Sequence, residues 1–256
     1  MGDFLIIAFL FFIGSLIGWC LEFIFRRFFS DANPERKWIN PGFLVGPYLP
    51  LYGFSLCVLY ILAHINVSFI HNKVGREVTL FILMAIAVTI VEYIAGLVFI
   101  KGMKVKLWDY TNEWGNIQGI ICPKFSFFWV ILSAVYYFLI HPHIINALTW
   151  LSVHLSFSFV VGFFYGVFAI DLCYSLKVLS KIKKFADDYQ VVVKYEALRE
   201  SIRKRNEERS EKRKFMLTMR SETTTFAENL KHYLEQEQEK LKNEYEAGIK
   251  KLKRKK

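Results

Sequence analysis

Apolar residues fall into five blocks, approximately 4–25, 48–65, 78–100, 125–140 and 152–175. A hydrocarbon layer of roughly 30 Å takes about 20 apolar residues per crossing, so the pattern predicts five membrane-spanning helices. The fourth block is the shortest and suits a tilted or partly interfacial course. Beyond residue 176 the pattern changes: there is no proline and one glycine, Gly248, and helix formers dominate. The predicted fold class is therefore all-α, a polytopic transmembrane helix bundle over residues 1–176 with a cytoplasmic helical or coiled-coil tail over 177–256.

Within the tail, Leu172, Leu179, Ala186 and Val193 repeat every seven residues, and Leu176 and Ala197 lie on the neighbouring seam. The stripe fades after Leu198 and returns at Leu230, Leu234, Leu241, Tyr245 and Leu252. Glu200 with Lys204 and Glu208 with Lys212 add i, i+4 support. A break is expected at 221–225, where Thr225 and Glu228 have capping-box spacing for a new helix. This pattern suits a helical hairpin or a broken coiled coil that forms a homodimer, with a single solvated helix as the alternative.

Charge separates the two parts. Residues 1–176 carry 10 Lys and Arg against 9 Asp and Glu, whereas 177–256 carry 23 against 14. The basic cluster at 250–256 suits the anionic surface of a lipid bilayer; lacking interleaved aromatics, it does not suit nucleic acid. Basic residues in the loops after the first four blocks number four, two, four and none. By the positive-inside bias this alternation predicts an external N-terminus and a cytoplasmic tail in the cell membrane. The start, Met-Gly-Asp, lacks the basic region of a secretory signal, so the first block reads as a retained span. Cys20, Cys57 and Cys173 lie in apolar blocks and Cys122 in a loop, which implies neither a disulfide framework nor a metal cluster.

With that topology, two motif-dense loops share the cytoplasmic face. Residues 39–53 hold three of the six prolines and three of the fourteen glycines, a density that specifies one backbone shape and predicts a folded re-entry loop. Pro47 and Pro50 are expected in the first turn of the next helix. Residues 107–126 form the second loop. Externally, His64, His71, His141 and His143 are scattered and read as solvated or interfacial.

Inside the blocks, Gly14 with Gly18 and Gly162 with Gly166 form G-x-x-x-G patterns that let helices approach closely. The first continues at i, i+4 to Glu22 and Arg26. Ala85, Thr89, Glu92 and Gly96 likewise line one face of the third span. A carboxylate in lipid costs about 2.5–3.5 kcal/mol, so Glu92 needs a partner or a use. It is either a hydrogen-bonded strut or a proton- or cation-binding group, with Tyr52 its expected donor. Glu22 pairs with Arg26 or serves the same site. Asp171 is expected to snorkel to the interface. Asn40, Tyr48 and Tyr52 from the first loop, with Trp108, Asp109, Tyr110, Asn112, Asn116 and Gln118 from the second, could roof the two glutamates as a polar pocket. No nucleophile–base pair, phosphate cradle or metal-ligand spacing occurs, so neither enzymatic activity nor a cofactor is expected.

Several of these stretches, taken in order, resemble one bacterial family. They are Gly18-Trp19 with Glu22; Gly42-Phe43-Leu44, Gly46-Pro47, Pro50 and Tyr52-Gly53; Glu92-Tyr93; Trp108-Asp109-Tyr110; and Gly119 with Ile121-Cys122. Over about residues 5–140 the chain is similar to the putative ABC-transporter type IV family, whose members are labelled ABC transporter permeases. It departs where Pro41 and Ile120 stand in place of arginines and Leu49 in place of a cysteine, which changes the charge balance of the pocket. The resemblance implies the permease part of a small-solute transporter, with a separate ATPase subunit because this chain has no Walker-type loop. The alternative is a membrane-anchored scaffold whose tail recruits a cytoplasmic or membrane-surface partner.

Overall fold

The computed structural model describes residues 2–212, apart from 31, 32, 34 and 69, together with 228, 230–236, 238 and 239. Helix α1 spans Asp3–Phe28, α2 Pro50–Ala63 and α3 Lys73–Leu97, the last ending in a π-helical turn, Val98–Gly102. A short strand β1, Val105–Lys106, follows. Helices α4, Pro123–Val135, and α5, His141–Val153, are joined by a second π-helical turn, Tyr136–Ile140. Helix α6 spans Ser158–Asp188, β2 Val193–Lys194 and α7 Tyr195–Lys212.

Among the described residues, four helical stretches are long and apolar enough to cross a membrane: Asp3–Phe28, Lys73–Gly102, Pro123–Val153 and Leu155–Asp188. Helix α2, with 14 residues, is apolar but shorter. Pro50 and Pro123 open α2 and α4, where a missing N–H removes no helical bond. Pro47 falls instead in the loop before α2.

The fourth block is longer than its hydropathy suggested. Pro142 cannot donate to the preceding turn, yet the helix loosens rather than ends: the His141 N–H reaches back five residues to the Tyr136 carbonyl. Residues expected in an external loop therefore continue the helix to Val153.

Two apolar cores form. The larger one joins Phe9, Leu10 and Phe12 of α1 with Leu59 of α2, Met84 and Val88 of α3, Trp129 of α4, Leu148 of α5 and Phe164 of α6. The smaller lies at one end of the bundle, here called the loop face, and joins Val105 with Leu179, Ile182, Ala186, Val193, Leu198, Leu230 and Tyr233.

The tail departs from a continuous heptad helix in this second core. After Asp188 the chain turns through Gln190 at φ +55°, and Val193 pairs in parallel with Val105. Leu179, Ala186 and Val193, expected along a projecting seam, are buried within the chain itself. Leu230 and Tyr233 pack back on the same cluster. The expected break at 221–225, Leu241, Tyr245, Leu252 and the basic cluster at 250–256 lie outside the described residues.

Candidate functional site

The site is built on a close crossing of α1 and α2. A Cβ on Gly18 would overlap the Tyr52 side chain, and one on Gly14 would lie 3.1 Å from the Gly53 Cα. Only helices without side chains at these points can come so near. The approach seats Tyr52 over Glu22, one turn beyond Gly18. The Tyr52 hydroxyl donates to Glu22 Oε2 at 3.0 Å, and Arg26 Nε donates to Oε1 at 3.1 Å.

Glu92 lies on α3 with 2% of its surface exposed. Its Oε1 accepts from the Tyr110 hydroxyl at 3.4 Å, and the Trp129 indole is a second hydrogen-bonding neighbour of the carboxylate. Tyr110 is held flat against Phe125, ring centroids 4.3 Å apart and planes 8° from parallel. Burial and the neighbouring Glu92 carboxylate raise the Tyr110 phenol well above its usual range, so it serves as a proton-bearing donor. Trp129 of α4 lies beside Glu92 and packs on Tyr52 at 5.1 Å. The charges of Glu22 and Glu92 both act on Tyr52 and Tyr110, and on one another.

Thus Glu22, Tyr52, Glu92 and Tyr110 come together. Tyr52 serves Glu22 rather than Glu92, because the α1–α2 crossing points its hydroxyl along α1. The other predicted residues shape the loops. Asn40 accepts from the Trp19 indole at 2.8 Å and donates to the Leu44 and Val45 carbonyls at 3.0 and 2.9 Å. Trp108 donates to the Ile120 carbonyl at 2.8 Å, and Asn116 donates to the Thr111 and Glu113 carbonyls while accepting from the Gly119 N–H. Gly119 itself turns at φ +67°, a conformation that favours glycine. Ile120 beyond it is buried against Gly96, which lets the second loop lie on α3.

Asp109 faces the tail. It binds Lys106 at 3.0 Å and Lys194 at 2.9 Å, and accepts from the Thr111 hydroxyl. Burial alone would push its carboxyl up, but these hydrogen bonds and cations hold it below the ordinary carboxylate range.

Asp171 does not snorkel. From α6 it accepts the Val45 and Gly46 N–H groups at 3.1 and 2.8 Å, the Tyr48 hydroxyl at 2.6 Å and the Ser175 hydroxyl at 3.0 Å. It therefore anchors the first loop, a role that no local spacing could reveal. Trp129 was also hidden, as one aromatic in an apolar run. The second G-x-x-x-G behaves differently from the first: nothing lies within 4 Å of where a Cβ would sit on Gly162 or Gly166.

At the opposite end of the bundle His64 and His141 are ring neighbours, centroids 5.5 Å apart, with the Tyr136 hydroxyl 3.0 Å from His141 Nδ1. Among the described residues, no group of three or more His, Cys, Asp or Glu side chains is arranged to hold a metal ion.

No curated protein and no solved structure matches the chain. The model of one family, described as putative ABC-transporter type IV, matches residues 9–176, which run from within α1 through most of α6 and include every member of the carboxylate site. Together with four apolar helices of membrane-spanning length, that match places this membrane protein among transporter-related chains: it belongs to the putative ABC-transporter type IV family.

Proposed function

We propose that the bundle is the permease component of a small-solute transporter, and that Glu22 and Glu92 form its proton- or cation-binding centre beneath a polar pocket on the cytoplasmic side. The observation that carries this is the Glu92 carboxylate, buried in an apolar bundle beside the neutral groups Tyr110 and Trp129 and close to a second carboxylate, Glu22. Neutral donors leave a buried charge uncompensated, so uptake of a proton or a cation is favoured there. Tyr52 and Tyr110 supply neutral donors, one to each carboxylate, so either can hold or release a proton without losing its position. The chain holds no nucleotide-binding loop, so the reading includes a separate ATPase subunit, and it assigns no enzymatic activity to this chain.

Five crossings, not four, suit this arrangement. The loops before α2 and after α3, and the segment after α6, all pack at the loop face, which supports a crossing by α2 with its flanking residues. Positive-inside bias then makes that face cytoplasmic.

Proteoliposomes loaded with a pH-sensitive dye and given an inward proton gradient test the centre. Wild-type vesicles should acidify faster than empty ones, and Glu92→Gln should return the rate to that of empty vesicles while the protein remains folded. Equal rates for wild type and Glu92→Gln would overturn a titrating role for Glu92. The scaffold alternative rests on the charged tail alone; flux that persists at any rate after deletion of residues 180–256 would argue against it.

A further inference from the structure

The first part of the tail is tied to both loops by charge. Arg26 donates from Nε to Glu22 at 3.1 Å and from its other arm pairs with Glu196 at 2.5 Å. Arg199 donates to the Asn40 carbonyl, Arg203 pairs with Glu35 at 2.9 Å, and Lys194 pairs with Asp109 at 2.9 Å. Below these contacts the β1–β2 pair and Leu198 bury apolar surface. One cation, Arg26, therefore serves the membrane carboxylate and the tail at once.

We propose that residues 193–203 form an electrostatic latch over the loop face, and that Glu196 is a positioning residue acting through Arg26 on Glu22. The two carboxylates compete for one guanidinium. Whatever neutralises Glu22, whether a proton or a bound cation, leaves Arg26 to Glu196 and tightens the latch; release of the tail returns Arg26 wholly to Glu22. Coupling of this kind is reciprocal by thermodynamic necessity. It would let the occupancy of the carboxylate site set the state of the tail, and a partner that draws the tail away set the charge of the site. The proposal rests on the transport reading only in what the latch regulates, since docking can be read without any flux.

Limited trypsin cleavage of the full-length protein in detergent reads docking directly, because cleavage after Arg199 requires the latch to open and its rate follows the open population. Rates are normalised to the same bond in the denatured chain. Glu196→Gln should speed cleavage about fivefold or more, and its rate should respond less to 1 M salt than that of wild type. Glu22→Gln should slow cleavage. Should Glu22→Gln fail to fold, Tyr52→Phe provides the opposite sign: Glu22 loses its neutral donor, draws harder on Arg26, and cleavage should rise. Unchanged rates in Glu196→Gln would overturn the latch. Opposite behaviour of Glu22→Gln, with faster cleavage in both glutamine variants, would overturn the shared arginine and leave general destabilisation.

Discussion

The Tyr48 hydroxyl donates to Asp171 at 2.6 Å across 123 residues of sequence, fastening the loop before α2 to the helix that enters the tail. Asp171 also satisfies two successive backbone N–H groups, at Val45 and Gly46, which the loop itself does not pair. Removing the carboxylate orphans these three donors and the Ser175 hydroxyl. Asp171→Ala should therefore cost on the order of 3 kcal/mol, and Tyr48→Phe about 1.5–3 kcal/mol, for the loss of one hydrogen bond to a charged acceptor. Thermal unfolding in detergent checks both; an unshifted Asp171→Ala transition would show that the loop holds its shape without the anchor.

The two small-residue motifs should respond oppositely to substitution. Gly18→Ala drives a methyl into the Tyr52 side chain and should destabilise by about 1–3 kcal/mol, with Tyr52 displaced from Glu22. Gly162→Ala and Gly166→Ala meet open space within the chain and should be neutral or slightly stabilising through helix propensity. The same unfolding assay separates them, and equal effects at both motifs would contradict the packing described.

Asp109 makes the β1–β2 contact dependent on acid in a defined direction. Its folded pKa lies below the unfolded value of about 3.9, so its contribution is fully present above that value and is lost as pH falls through the folded one. Protection of the Val193 amide, which donates to the Lys104 carbonyl, should stay flat from neutral pH to about pH 5 and decline only below about pH 4. Asp109→Asn should lower protection across the whole range. Hydrogen exchange corrected for intrinsic rates measures this, and a decline already complete at pH 5 would exclude Asp109 as its source.

Topology can be read from two exposed asparagines. In a cysteine-free background, Asn66→Cys, between α2 and α3, should react with an impermeant maleimide in intact cells, whereas Asn112→Cys should react only after permeabilisation. Labelling of Asn112→Cys from outside with Asn66→Cys protected would remove α2 as a crossing and separate the two loops.

Hydropathy and local spacing by themselves determined roughly where the apolar helices lie, because a helix in lipid must be apolar along its length whatever surrounds it, but not that the fourth runs on through Pro142 to Val153. They also marked Gly14, Gly18, Glu22 and Arg26 as one face of α1, and Glu92 as a carboxylate in need of company, since both follow from helical periodicity. The i, i+4 bond from Arg26 to Glu22 is of this local kind. Which donor meets which carboxylate was decided only in three dimensions: Tyr52 goes to Glu22 because Gly18 lets α2 approach there, and Tyr110 reaches Glu92 because Ile120 rests on Gly96. Tertiary contact also turned Asp171 from a surface residue into an anchor and gave Arg26 a second partner in Glu196. It ended the tail's heptad pattern at Asp188, because Val193 gains more by pairing with Val105 in the second core than a solvated seam could offer a lone chain. Each of these depends on residues 18 or more positions apart, and no periodicity along the chain encodes such distances.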